Sequence, residues 1–221
     1  MSGSMSESMS GWVSGVSWVT DVTDVTDVTT SHRGRVTPER EAELYAAVLD
    51  LLGEVGYDGL TMDAVAARTR FSKATLYRQW GGKVELVVAA MKHTRPVAID
   101  EVDTGSLRGD LHALPATLDD ATLARHASLM RGLAMAMHHH RDLGRVFREQ
   151  VVEPEMREFQ RVLGRAVERG EIRADNPALD HAVRLVIGAF VVRAVIDGLP
   201  PTRGFLGEYV DAVLLPALVA A

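Results

Sequence analysis

The sequence predicts an all-α protein, built from an N-terminal three-helix helix-turn-helix domain followed by a larger helical domain. Three observations lead there. From Thr37 onward apolar residues recur three and four apart, the spacing of one helix face. Capping and breaking residues stand at regular intervals between those segments. Nowhere downstream does the chain alternate apolar and polar residues as a half-buried strand would.

Each element has its own local reason. Residues 1–36 are mostly Ser, Thr, Gly and Asp around the triplet repeat TDVTDVTDV, with too little apolar surface to offset the entropy of ordering, so a disordered tail is expected. The first helix takes Thr37 as N-cap and Pro38 at its first position, with Leu44, Val48, Leu51, Leu52 and Val55 on one face and Gly56 as its stop. Thr61 caps a short second helix (MDAVAART), Arg70 and Phe71 make a turn, and Ser72 caps a third helix (KATLYRQW). Two helices joined by a tight turn form the helix-turn-helix pattern. Gly81 and Gly82 break the chain before a fourth helix from Lys83 to about Thr94, ahead of Pro96. After the polar loop DEVDTGS, Ser106 caps the next helix, and further helices are expected near 107–118, 120–138, 141–169, 177–197 and 204–219. Asn176 and Pro177 open the penultimate one, and Gly198, Pro200 and Pro201 close it; Pro154 is expected to kink or split the 141–169 segment. The resulting division is a tail over 1–36, a helix-turn-helix domain over 37–95 and a helical domain over 96–221.

Composition removes several function classes. Of 221 residues 47 % are hydrophobic, enough for a substantial core, and none is cysteine, which excludes disulfides, thiolate metal sites and a cysteine nucleophile. There is no secretory signal and no apolar run near the roughly 18 residues that span a bilayer, so a cytoplasmic location is expected. No glycine-rich phosphate loop, G-x-S-x-G elbow, H-E-x-x-H or Glu-x-x-His pair is present, so neither an enzyme nor a cofactor is expected. The run His138 to His140 is not read as a metal site, because consecutive helical residues point in different directions. Net charge is −6, yet Arg68 to Arg95 holds seven basic residues against Glu85 alone, whereas Pro38 to Ala67 holds one base against seven acids. That reversal suits either a polyanion-binding surface or a solvated helix face. Arg33 and Arg35 in the tail are read either as an arm that touches nucleic acid or as cations without a specific role.

The segment TMDAVAARTRFSKATLYRQWGGKVEL resembles the DNA-binding signature of the TetR family of bacterial regulators, with SKATLYRQW and the following Lys83 as its specific part. The resemblance covers residues 38 to about 95, and the remainder matches by helix number, length and order. Arg70 departs from it by standing where the family commonly has a turn glycine. A recognition helix presents its N-terminal residues to base edges in the major groove, and Lys73, Ala74 and Thr75 fit that place. Leu76 is expected to face inward toward Val65 and Ala66. The resemblance implies that Tyr77 donates to a phosphate, that Thr61 and Ser72 meet phosphates at helix N-termini, and that Lys83 does so at the start of the fourth helix. Arg78 and Gln79 are the candidates for direct base contact. Thr61 and Ser72 serve at least as N-caps, Tyr77 has a core residue as its alternative reading, and Trp80 is read as core.

Downstream, Leu185 to Ile196 contains one charge, Arg193, so the last two helices are apolar well beyond one stripe and need cover on several sides. The resemblance implies a homodimer through a four-helix bundle of these helices, facing a near-palindromic double-stranded operator; a monomer that buries both faces itself is the alternative. Leu111, Leu114, Leu118, Leu129, Met130, Leu133, Met137, Phe147, Val151 and Phe159 are either plain core or cavity wall. The resemblance favours a cavity for a small apolar effector, with Leu114, Leu118, His126, Met130, Leu133, Met137, Phe147, Val151 and Phe159 as its candidate lining and His126, Arg131, His138 and Arg148 as polar anchors. The function expected is that of a repressor released from its operator by such a ligand, with an activator as the alternative within the regulator class. The competing reading is a helical ligand- or partner-binding module that never touches DNA.

Overall fold

The structure, a computed structural model, describes residues 36–94 and 99–219; the tail up to residue 35, with Arg33 and Arg35, and also Arg95 and Pro96, lie outside the described residues. Among the described residues there is no strand. The first four helices are α1 (Pro38–Gly59), α2 (Met62–Thr69), α3 (Lys73–Trp80) and α4 (Lys83–His93). Their starts follow local chemistry: the side chains of Thr37, Thr61 and Ser72 each accept a backbone N–H three residues on. Gly56 adopts φ 70° and kinks α1 rather than ending it, so the helix resumes to Gly59.

The larger part comprises α5 (Leu107–Ala116), α6 (Asp120–His139), α7 (Arg141–Phe147), α8 (Glu153–Glu168), α9 (Ala182–Val191), α10 (Arg203–Tyr209) and α11 (Leu215–Val219). π turns interrupt two of the expected continuous helices, at Arg148–Val152 and Val210–Leu214, and one closes a third, at Val192–Ile196. Two of these turns end two residues before a proline, Pro154 and Pro216. A proline cannot bond the carbonyl four residues back and its ring crowds that carbonyl, so a wider turn just ahead of it relieves the clash. The kink expected at Pro154 therefore takes the form of a π turn, with the Glu153 N–H reaching the Arg148 carbonyl. The segment from Pro177 opens as a short 3₁₀ turn, Pro177–Asp180, before α9 begins.

Two apolar clusters hold these elements. One gathers α1 to α4 with α6, α7 and the first π turn, so that Leu44, Leu76, Leu86, Leu133 and Leu143 are fully buried within one continuous body. The other joins α5, α8, α9 and the chain end around Leu107, Leu111, Phe159, Leu163 and Leu214. Asp110 is the one buried charged side chain among the described residues; Thr104 donates to it through both its backbone N–H (2.6 Å) and its hydroxyl (2.7 Å), and Arg169 donates at 3.2 Å.

Candidate functional site

The exposed face of α3 is secured from three directions. Leu76, fully buried in the cluster that holds Val65 and Ala66, anchors its inner side as expected. At the start of the helix, Ser72 accepts the Thr75 N–H at 3.1 Å and its hydroxyl lies 2.8 Å from that of Thr75. At the end, Trp80 Nε1 donates to the Tyr45 hydroxyl at 3.0 Å, and that hydroxyl donates to Glu41 at 2.6 Å. Burial, with Glu41 beside it, pushes the Tyr45 phenol up to about 12, so it stays protonated and keeps its place in the chain of bonds. Phe71 packs edge-on against Trp80 with ring centres 6.1 Å apart, so the α2–α3 turn closes onto the same aromatic anchor.

What remains outward on α3 is Lys73, Ala74, Tyr77 and Arg78, all exposed, with Thr75 half-buried. Tyr77 is 46 % exposed, which decides against its core reading. Gln79 is exposed on the flank of that face. Thr61 and Ser72 are exposed at the N-termini of α2 and α3, where free N–H groups and the helix dipole favour an anion.

The cations are less free than a linear count suggests. Arg68 forks onto Glu54 of α1 at 2.8 and 3.2 Å, and Lys73 pairs with Asp63 of α2 at 2.8 Å. Lys83 is half-buried; its ammonium donates to the Tyr57 carbonyl at 2.8 Å and lies 4.1 Å from the centre of the Tyr57 ring, and burial lowers its pKa. An ammonium has three donors, so one bond to Tyr57 leaves others for a phosphate. The positive stretch is thus interleaved in space with the acids of α1 and α2, and Arg70, Arg78 and Lys92 carry exposed charge beyond those pairs. Glu54 and Asp63, the residues that set this balance, were not singled out from sequence; their only signal was the acid count before Arg68.

Behind this head lies an apolar cavity of about 510 Å³ between the two core clusters. Leu114, Leu118, His126, Met130, Met137, Phe147, Val151 and Phe159 line it, whereas Leu133 turns away and is buried in the cluster with α1. Of the polar anchors considered, Arg131 and Arg148 also line it, while His138 instead meets His139 edge-on and His140 bonds Asp58 at 2.6 Å. Burial lowers the pKa of His126, which packs against Phe190 at 6.0 Å between ring centres and is held neutral. Sequence reasoning missed the far wall: Val186, Phe190 and Ala194, and Leu206, Tyr209 and Leu214 near the chain end. The three π turns all contribute lining residues, among them Val151, Ala194 and Val210. Met91, on the last turns of α4, lines it as well.

Comparison with known proteins agrees with this arrangement. The family described as bacterial regulatory proteins, tetR family, matches residues 44–90, and the family described as tetracyclin repressor-like, C-terminal domain, matches residues 101–213. An HTH-type transcriptional regulator of Mycobacterium tuberculosis is 41 % identical over 180 residues, spanning 81 % of this chain and 88 % of its own length. A protein of Mycobacteroides abscessus named DNA-binding transcriptional repressor TetR is 37 % identical over 177 residues, spanning 80 % and 92 %. Among solved structures, a TetR family transcription regulator superposes with TM-score 0.59 at 26 % identity over 82 % of this chain and 97 % of its own. A further regulator, from Rhodococcus sp., shares the fold at TM-score 0.66, 18 % identity and 80 % and 100 % coverage. The relatives are regulators and not enzymes, and the chain is a helix-turn-helix transcriptional regulator belonging to the TetR family.

Proposed function

We propose that this regulator is a homodimeric repressor that holds a near-palindromic operator and releases it when a small, largely apolar molecule fills the cavity. One observation carries the reading: α4 bears Lys83 beside the recognition helix at one end and Met91 in the cavity wall near the other. A ligand that displaces Met91 has a rigid lever onto the DNA-contacting surface. Residues 37–95 form the reading head and 96–221 the sensing and dimerising part. Thr61, Ser72, Tyr77 and Lys83 hold phosphates; Lys73, Ala74, Thr75, Arg78 and Gln79 face base edges. The exposed pairs of Lys73 and Arg68 are weak in water and exchange readily for phosphate oxygens. Outward apolar residues on the last helices, Ile196 at 75 % exposure foremost, support a second copy as their cover. The repressor sense is supported by the name of the Mycobacteroides abscessus relative. A DNA-bound role places the protein in the cytoplasm.

Release follows from population shift: the effector binds better to a conformation whose two α3 helices no longer match the spacing of one DNA turn, roughly 34 Å. The test is selection of bound fragments from random duplex DNA, repeated at several salt concentrations. An enriched inverted repeat with steep salt dependence is expected, and Tyr77→Phe and Lys83→Ala are expected to weaken binding on all sequences alike. No enriched sequence, with affinity flat in salt, overturns the operator reading. Equal effector affinity for free and operator-bound protein overturns the release mechanism.

A further inference from the structure

Arg131 is anomalous in its surroundings. It is half-buried on α6 and faces a cavity whose other walls are, but for His126, Arg148, Glu155 and Tyr209, apolar. Its Nη1 donates to the Ala194 carbonyl at 3.2 Å, inside the π turn Val192–Ile196, and its Nη2 donates to the Ser128 hydroxyl at 3.3 Å. Both acceptors are neutral, and Arg131 forms no ion pair among the described residues. A neutral amide side chain satisfies the same kind of acceptor, so these two bonds do not by themselves call for a cation. A guanidinium also carries more N–H donors than these two bonds use.

The neighbouring polar groups do not supply the missing charge. Arg148 is a second cation, at the solvent-facing rim with its side chain 64 % exposed and Glu153 3.7 Å away. His126 is held neutral by burial. Glu155 is engaged in an interaction of its own. Of the two cations that line the cavity, Arg148 at the rim has a carboxylate beside it and Arg131 has none among the described residues, and a guanidinium fork matches a planar carboxylate in shape as well as charge.

We infer that the effector is an amphiphile with a carboxylate head, seated on Arg131, and an apolar body laid against Met130, Met137, Phe147, Phe159 and Phe190. The inference rests on the reading of the cavity as the effector site. The cavity measures about 510 Å³. At about 30 Å³ for each water-sized group, it holds roughly 17 non-hydrogen atoms, which sets the scale of the molecule.

Titration calorimetry of the full chain with decanoate, decanol and decylammonium, three ligands of one tail and different heads, tests it. Decanoate is expected to bind on the order of ten- to a hundredfold more tightly than decanol, the difference a charge-assisted bond makes, with decylammonium weakest. Arg131→Gln is expected to abolish that preference while still binding decanol, which shows the variant folded and its cavity intact; Arg131→Lys is expected to retain part of the preference. Decanol matching decanoate in the natural chain, or an unchanged preference in Arg131→Gln, overturns the carboxylate assignment and leaves the apolar effector site standing. No binding of any of the three overturns both.

Discussion

Arg70 closes α2 at φ 57°, in the left-handed region. There the Cβ of an L residue crowds the backbone at a cost of roughly 1 kcal/mol. It is the only non-glycine residue with positive φ among the described residues. Phe71, packed edge-on against Trp80, and the Ser72 cap flank Arg70, which keeps the left-handed backbone that a glycine adopts without that cost. Arg70→Gly is expected to stabilise the protein by about 0.5 to 1 kcal/mol, a rise of roughly 1–4 °C in thermal midpoint, with Arg70→Ala giving no such gain. A melting curve that falls for Arg70→Gly means that the exposed arginine side chain contributes more than its backbone costs. The same scale shows what single residues disclose in advance. The caps at Thr37, Thr61 and Ser72 were legible because donor and acceptor lie three residues apart. The attachment of Lys83 to the Tyr57 carbonyl was not, because it spans 26 positions and has a backbone atom as its partner.

At the scale of elements, helix existence was legible from periodicity, while the π turns were not, because one widened turn shifts the phase of the apolar face once, and a single shift does not stand out among the mixed spacings of a short segment. Pro154 gave a local signal for the first of them, and Pro216, unremarked in sequence, stands in the same relation to the third. The buried Asp110 adds a polar tie between α5 and the end of α8, beside their apolar contact, and was equally invisible, since nothing in the sequence distinguishes this aspartate from exposed ones. It joins the Thr104 turn to Arg169, whose Nε also bonds Glu171 at 2.6 Å, while the other Glu171 oxygen accepts the Leu107 N–H at 2.7 Å. Burial pushes the Asp110 carboxyl up, but the bonds from Thr104 and Arg169 outweigh it and hold its pKa below the ordinary value of 3.8. A depressed carboxyl contributes stability that is present above that value and lost as pH falls through the folded pKa. Asp110→Ala is expected to cost about 3 kcal/mol, because it leaves Arg169 and the Thr104 N–H without their partner, and to lower the thermal midpoint by roughly 6–12 °C at neutral pH. A change under about 2 °C shows that water replaces the carboxylate without penalty.

For the whole molecule, the last two helices answer to two different surfaces at once. The expectation from sequence set a partner chain against a monomer that buries both faces itself; in the structure Val186, Phe190 and Ala194 face the cavity, and Val192, Ile196, Leu199, Val213 and Val219 stand exposed away from its lining. A hydropathy pattern reports that a helix is apolar on most sides but not which side meets an internal void and which meets another molecule, so the far cavity wall was missed while the need for cover was seen. The two surfaces make separable expectations. Ile196→Glu places a charge in the middle of the outward patch without entering the cavity lining, so under the proposed homodimer it is expected to give monomers of unchanged helical content, with binding at the proposed effector cavity unchanged. Because two linked reading heads gain avidity that one lacks, operator affinity is expected to fall by roughly a hundredfold or more. Val55→Glu, at a half-exposed apolar position on α1, supplies the control and is expected to remain dimeric. Sedimentation of both variants decides the matter: if Ile196→Glu and Val192→Glu each sediment as dimers, the outward face of these helices is not where the two copies meet, and the separation of the α3 helices must be set by some other contact.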